Sequence, residues 1–373
     1  MSRAGRSLAV RGAWAGVNCN AVCGDHPAPH GAVGDPGAVD PTTRPLIRAT
    51  DPTTRPLIRA TGPRRAGVDL AAADAADVDF VRMILARDTA TPQSCRKGTK
   101  MDRSAPPSHD LLEIAVEVAR EAAATAHRMR AEGVSTVATK STVTDVVTAA
   151  DRAVERQVVD ALRRARPADA VLGEEYGPGG GGPAGPGGVR WIVDPIDGTV
   201  NYLYGLPYCA VSLAAEVDGE VVAGVVRNVV TGEEWTATAG GGAHRAGTRL
   251  RCSTETDLGQ ALVATGFGYD PARRAHQARV VAELIPHVRD IRRMGAASLD
   301  LCLAAEGRLD AYYEKGLAAW DLAAGGLIAT EAGLRVAGLR GRPAGPDLVV
   351  AAPPALFEPL HAHLADLDAD GGP

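Results

Sequence analysis

Apolar positions fall into register from residue 109 onward. Leu111, Leu112, Ala115, Val118, Ala119 and Ala122 recur at intervals of three and four as far as about residue 130, the spacing of an amphipathic helix laid on a core. A second stripe, Val154, Val158 and Leu162, predicts a helix over 149–164 with Thr148 or Ala150 near its start and Asp151 in its first turn. Apolar runs at 170–173, 190–193, 209–217, 220–226 and 234–239 predict strands, so the region is mixed α and β. Residues 177–188 (GPGGGGPAGPGG) break the pattern with Gly and Pro that forbid regular structure, and a mobile loop is expected there. No helix follows that loop, as a dinucleotide-binding glycine turn would require. Gly240 to Gly242 and Gly247 mark a hairpin turn.

The first 107 residues follow no such pattern. They hold two aromatics, Trp14 and Phe80, and no glutamate, which leaves too little apolar surface to offset the entropy of folding. Residues 40–50 (DPTTRPLIRAT) are copied as residues 51–61; two copies of this length match no solenoid period. A disordered extension is expected over 1–107, with Met101 as an alternative internal start. Its 10 Asp speak against a transit peptide, and Arg11 interrupts the one stretch, 8–17, that could serve as a secretory core. Cys19, Cys23, His26 and His30 have zinc-ligand chemistry, but two residues separate the Cys pair from the His pair where a finger needs about twelve.

At 373 residues the chain exceeds one ordinary domain. No apolar run approaches the roughly 20 residues of a membrane span. A net charge of -5 and a pI near 6.0 argue against a nucleic-acid partner. Charge is also segregated: residues 1–107 carry +5 and the remainder -10, which suits an acidic site for divalent cations. Six scattered cysteines are no disulfide framework, and a reducing cytoplasm is the expected compartment.

Chemistry concentrates in residues 191–201, WIVDPIDGTVN. An apolar strand ends at Asp194, Pro195 sets a turn, Asp197 returns three residues later, Gly198 frees the backbone and Thr199 offers a hydroxyl. Neither the alternate-ligand pattern of an EF-hand nor the Gly-Lys-Ser/Thr ending of a P-loop is present.

This string is similar to the signature of the inositol monophosphatase family, and further motifs arrive in that family's order. Lys140-Ser-Thr-Val-Thr-Asp145-Val-Val-Thr148-Ala-Ala-Asp151 and Gly173-Glu174-Glu175 precede it; Arg293-Met-Gly-Ala-Ala-Ser298, Asp310-Ala-Tyr-Tyr-Glu314 and Trp320-Asp321-Leu-Ala-Ala-Gly325 follow. The resemblance covers about 108–364. It implies a layered α/β/α/β/α sandwich over 108–366, with an α+β half to about 265, a smaller α/β half after it, and the site between them.

The resemblance also implies magnesium, two or three ions, held by Glu174, Asp194, Asp197, Asp321 and the Ile196 carbonyl. Oxygen ligands are what that hard cation takes, and four carboxylates together would repel without it. Thr199 and Asp151 would orient a water for in-line attack on phosphorus, and amides from Gly198 onward would hold the phosphate. Gly295, Ala296, Ala297 and Glu314 would meet a small phosphorylated polyol, and Lys140 could approach the site. By itself, Asp321 also reads as an N-cap of a helix over 322–332, and Cys302 as a packed core thiol. Ala296 and Tyr176 stand where the family often has hydroxyl residues, which leaves the ester open. Inositol 1-phosphate leads; histidinol phosphate, fructose 1,6-bisphosphate and 3'-phosphoadenosine 5'-phosphate are alternatives, as is a non-catalytic role beside RNA-processing or transcription machinery. A homodimer and inhibition by lithium are further expectations.

Overall fold

The computed structural model describes residues 107–133, 137–140, 146–178 and 185–373. The tandem repeat, Cys19, Cys23, His26, His30, Met101, Asp145 and residues 179–184 of the glycine-rich loop lie outside the described residues.

Helix α1 (Ser108–Glu132) buries Leu111, Ala115, Val118, Ala119, Ala122, Ala123 and Ala126, the predicted stripe extended by one turn. It stops at Gly133, whose φ of 97° leaves the helical region. Strands β1 (Val137–Thr139) and β2 (Val146–Thr148) pair antiparallel and lead into α2 (Ala149–Ala165). Thr148 and Asp151 close a reciprocal capping box at its start, so the helix entry is fixed by side chains on both sides of the boundary.

The first sheet has eight strands: β3 (Ala170–Gly173), β4 (Gly177–Pro178), β5 (Val189–Asp197), β6 (Ala210–Val217), β7 (Glu220–Asn228), β8 (Glu234–Thr238), β9 (Gly242–Arg245) and β10 (Thr248–Arg249). Their order is β10-β9-β8-β7-β6-β5-β3-β4; β3 runs parallel to β5 and the other pairs are antiparallel. Gly240 to Gly242 and Gly247 sit at the β8–β9 and β9–β10 turns, as hairpin signals should. A short helix α3 (Thr199–Leu203) follows β5.

The second sheet contains β11 (Leu262–Thr265), β12 (Asp290–Arg292), β13 (Ala311–Glu314), β14 (Arg335–Ala337) and β15 (Val349–Ala352), in the order β12-β11-β13-β15-β14. Its helices are α4 (Pro271–Leu284), α5 (Ala297–Ala305), α6 (Ala319–Glu331) and α7 (Pro354–Asp366). The change of sheet falls between Arg249 and Leu262, with β11 already in the second sheet. A short apolar strand carries no signal of which sheet it joins.

Four apolar clusters define five layers. Trp191, Leu213 and Val225 face α1 and α2, whereas their neighbours Ile192, Ala214 and Val226 face α5 and α6 through Leu299, Cys302 and Ile328. On the second sheet Tyr312, Val349 and Ala351 meet the other side of α5 and α6 at Leu301, Ala304 and Ala329. Tyr313, Val350 and Ala352 face outward onto Val280, Leu356 and Phe357 of α4 and α7. Period-two alternation between two apolar faces is what a sheet covered on both sides requires. The result is an α/β/α/β/α sandwich in which α5 and α6 are shared. Contact is close there: a Cβ on Gly224 would lie 3.0 Å from Ala324 Cα. None of the described helices is long and apolar enough to cross a membrane.

Candidate active site

In an unbroken strand Asp194 and Asp197, three apart, would point to opposite faces. The register of β5 against β6 shifts between them: Asp194 pairs with Ser212 and Asp197 with Ala210, so Pro195 and Ile196 oppose one residue. This bulge sits where proline, lacking an N–H, costs the ladder nothing, and it returns both carboxylates to one side. The Ile196 N–H donates to Asp194 Oδ1 at 3.0 Å. Gly198 then turns the chain with φ 85°; a Cβ there would lie 2.9 Å from the Tyr208 carbonyl oxygen.

Asp321 joins this pair. One carboxylate oxygen from each of Asp194, Asp197 and Asp321 lies within 4.8 Å of the others. Asp321 is not the N-cap of its helix: Ala318 is, and Asp321 stands three residues on, with Oδ2 accepting the Ala318 N–H at 2.7 Å. The helix starts earlier than its apolar run because Ala319 and Trp320 form its first turn.

Glu174 follows β3 on a turn beside this cluster. Lys140 Nζ lies 2.7 Å from Glu174 Oε1 and 2.5 Å from Glu175 Oε1, so this lysine faces the site. From α2, Asp151 turns Oδ1 toward Thr199, whose hydroxyl donates to it at 3.1 Å, while Oδ2 accepts the Thr148 N–H at 2.7 Å. Thr199 also lies 3.2 Å from the Ile196 carbonyl oxygen.

Lys140, Glu174, Asp194, Ile196, Asp197, Thr199 and Asp321 line a cavity of about 440 Å³ together with Gly295, Ala297, Arg273, Arg293 and Glu314, while Asp151 stands behind Thr199 and does not line it. Ala296 does not line it. That residue is 2% exposed and packs in the apolar cluster with Leu299 and Cys302, since at the head of α5 alternate side chains point to core and cavity. Glu314 is held by Tyr312, whose hydroxyl donates to Oε2 at 2.7 Å. A Cβ on Gly266 would overlap this carboxylate at 1.9 Å. Cys302 is buried, as a core thiol.

Burial dominates the electrostatics. It pushes Glu174 up to about 7 against the pull of Lys140, and Glu314 up to about 7 against Tyr312 and Arg293. Asp194 and Asp321 are driven well above the ordinary carboxylate range, first by burial and then by neighbouring acids. Asp197 is raised by burial although the Ser298 hydroxyl and N–H bind it. Asp151 is raised by burial, with Thr148 and Thr199 opposing. Burial works against the Lys140 charge, but Glu174 and Glu175 outweigh it and hold this ammonium above ordinary lysine. The cluster fits a hard divalent cation: its donors are all oxygens, Asp194 and Asp197 are 1% and 7% exposed, and a cation held there would favour the ionised form of the acids around it.

Several contributors had no role read from the sequence, although Ser298 and Asn201 stand inside the quoted motifs. Ser298 donates its N–H to Asp197 Oδ2 at 2.8 Å from a distance of 101 residues. Asn201 Nδ2 donates to the Tyr208 and Met294 carbonyls at 2.8 Å each, tying the segment before Gly295 to α3. Glu155, an ordinary-looking helix acid, is 0% exposed. Only Thr148 could have been anticipated, from the capping spacing Thr-x-x-Asp.

Three comparisons bear on this arrangement. The model of the inositol monophosphatase family matches residues 108–368. An inositol-1-monophosphatase of Mycobacterium leprae (strain TN) is 48% identical over 271 residues, covering 67% of this chain and 92% of that protein. A protein of Pasteurella multocida (strain Pm70) named Nus factor SuhB is 39% identical over 227 residues, 60% of this chain and 83% of its own length. Among solved structures, Mycobacterium tuberculosis SuhB superposes with a TM-score of 0.60 at 42% identity, covering 71% of this chain and 99% of that one.

Proposed function

The chain belongs to the inositol monophosphatase family, and on that premise we propose that it is a magnesium-dependent phosphatase that hydrolyses myo-inositol 1-phosphate. One observation carries the reading: three carboxylates within 4.8 Å of one another share a cavity with Glu174 and with Thr199, which is hydrogen-bonded to Asp151. Glu174, Asp194, Asp197, Asp321 and the Ile196 carbonyl would hold magnesium. When bound, that cation lowers the pKa of water and offsets the charge of the phosphoryl oxygens.

The remaining steps belong to side chains. Thr199 has one hydroxyl hydrogen and two acceptors in reach; the Asp151 carboxylate is the stronger acceptor, and Thr148 keeps its other oxygen occupied. The Thr199 oxygen therefore turns its lone pairs to a water and orients it for in-line attack, with Asp151 Oδ1 ready to take up positive charge through that hydroxyl. Glu314 lines the same cavity with Oε2 fixed by Tyr312, and accepts a polyol hydroxyl. Gly295 and Ala297 bound the space for the ring, and Ala296 has no place in that contact.

The full chain should release phosphate from inositol 1-phosphate with magnesium and not without. Fructose 1,6-bisphosphate, histidinol phosphate and 3'-phosphoadenosine 5'-phosphate belong in the same assay, where preference for one of them would keep the chemistry and move the substrate. Absence of release from all four would overturn the proposal. A homodimer in the cytoplasm is part of the reading, tested by light scattering and fractionation. A second reading is favoured by the relative named Nus factor SuhB: a role in binding. Asp194→Asn separates the two, because a cellular function that survives it does not need hydrolysis.

A further inference from the structure

We propose that Glu155 is a positioning residue whose buried carboxylate fixes the turn presenting Glu174 to the metal-binding cluster. The inference rests on the reading of Glu174 as a magnesium ligand. Glu155 lies on α2 one helical turn beyond Asp151, on the same face. Asp151 meets Thr199, and Glu155 meets the turn that follows β3.

Its side chain is 0% exposed. Oε2 accepts the Glu175 N–H at 2.7 Å and Oε1 accepts the Tyr176 N–H at 3.1 Å. On the other side of Glu174, its own N–H donates to the Val193 carbonyl oxygen at 3.2 Å. Glu174 is therefore clamped, by a strand carbonyl at its own amide and by one carboxylate at the next two. A carboxylate is costly to bury without partners, and an apolar side chain between Val154 and Val158 would serve packing as well. What an apolar residue cannot do is hold two successive amides of the ligand turn.

Gly173 supplies an independent observation. A Cβ there would lie 2.0 Å from Glu155 Oε1 and 2.4 Å from its Cδ, yet Gly173 is absent from the positive-φ glycines among the described residues. Its backbone needs no glycine. The Glu155 carboxylate does, since any side chain at 173 would expel it. Lys140 cannot substitute for this clamp, because it pairs with the Glu174 and Glu175 carboxylates and leaves their amides untouched.

The test measures magnesium binding by calorimetry and manganese binding by electron paramagnetic resonance on the full chain. The variants are Glu155→Gln, Glu155→Asp, Gly173→Ala and Glu174→Gln, each also unfolded thermally in metal-free buffer. Loss of an outer hydrogen-bonding partner should weaken the metal about 10- to 100-fold and raise the magnesium midpoint of activity in step, with kcat at saturating magnesium little changed. Wild-type metal affinity in Glu155→Gln, whatever its melting temperature, overturns the inference. Should Glu155→Gln not fold, Glu155→Asp and Gly173→Ala decide by the same criterion. Unchanged binding in Glu174→Gln would remove the ligand reading itself; weakened binding there beside unchanged binding in Glu155→Gln would remove this inference alone.

Discussion

The hydroxyl of Thr199 lies 3.1 Å from Oδ1 of Asp151, an acid whose other oxygen is already held by Thr148. On the proposed reading, in which the pair orients water and holds no metal, Thr199→Ala and Asp151→Asn should lower kcat by about 10²- to 10⁴-fold, the usual worth of a positioned acid–base group. KM and magnesium affinity should stay near wild type. A drop confined to KM would remove the pair from the chemistry.

Magnesium should stabilise this protein more at pH 8 than at pH 5.5. Glu174, Asp194, Asp197 and Asp321 all have folded values raised above their unfolded ones. Without metal, the stability they contribute is complete below about pH 4 and is lost as pH rises through the folded values, near 7 for Glu174. Bound cation removes that loss. Melting temperatures with and without magnesium across this range would show a widening gap, and calorimetry in two buffers of different ionisation enthalpy would show protons leaving on binding. A gap independent of pH would sink the idea.

Glu314→Gln should raise KM for a polyol phosphate about 10-fold or more, as for a hydrogen bond to a charged group, with a smaller effect on kcat. The same change should flatten the pH profile of stability. Glu314 rises from 4.5 to about 7 on folding, so its favourable contribution, at most about 3 kcal/mol, is present below pH 4.5 and lost above 7. Parallel urea titrations of wild type and variant at pH 5 and pH 8 measure the difference.

Gly198→Ala should cost about 1–3 kcal/mol and disturb Thr199. The φ of 85° is unfavourable for alanine, and its Cβ would press within 2.9 Å of the Tyr208 carbonyl oxygen and 3.2 Å of Ala296 Cβ. Denaturant unfolding gives the stability. A variant as stable as wild type would mean the turn relaxes.

The elements could be read where periodicity speaks: the stripe of α1, the start of α2 and five of the eight strands of the first sheet, whereas β4, in the glycine-rich stretch expected to be a loop, and β9 and β10 carry no repeating signal. The approach of Asp194 and Asp197 was read from a strand ending at Asp194 and a turn at Pro195, whereas the strand runs on to Asp197 and a bulge at Pro195-Ile196 puts both on one side; that Glu174 and Asp321 join them could be read only through motif order. Asp321 was legible as a helix-start acid, but its placement three residues inside the helix depends on Ala319 and Trp320 turning first. The roles of Ser298, although it ends a quoted motif, and of Glu155 were illegible for another reason. Their partners are a side chain 101 residues away and two backbone amides 20 and 21 residues away, and a hydrogen bond formed only in the folded chain leaves no period in the sequence.

Helices α5 and α6 are enclosed by a sheet on either side, and the acid Asp321 and the Ser298 hydroxyl both come from their first turns. A helix packed between two sheets has little room for neutral change, and in α6 that room is confined to positions such as Ala319 and Thr330, which are exposed. Over long divergence, or in a library of random variants, tolerated substitutions should gather on the outward faces of α1, α2, α4 and α7, while α5 and the buried middle of α6, Ala324 to Ala329, stay nearly fixed. Inheritance of the site is thus secured by packing as much as by chemistry: a lineage that discarded catalysis would still find these two helices hard to rewrite.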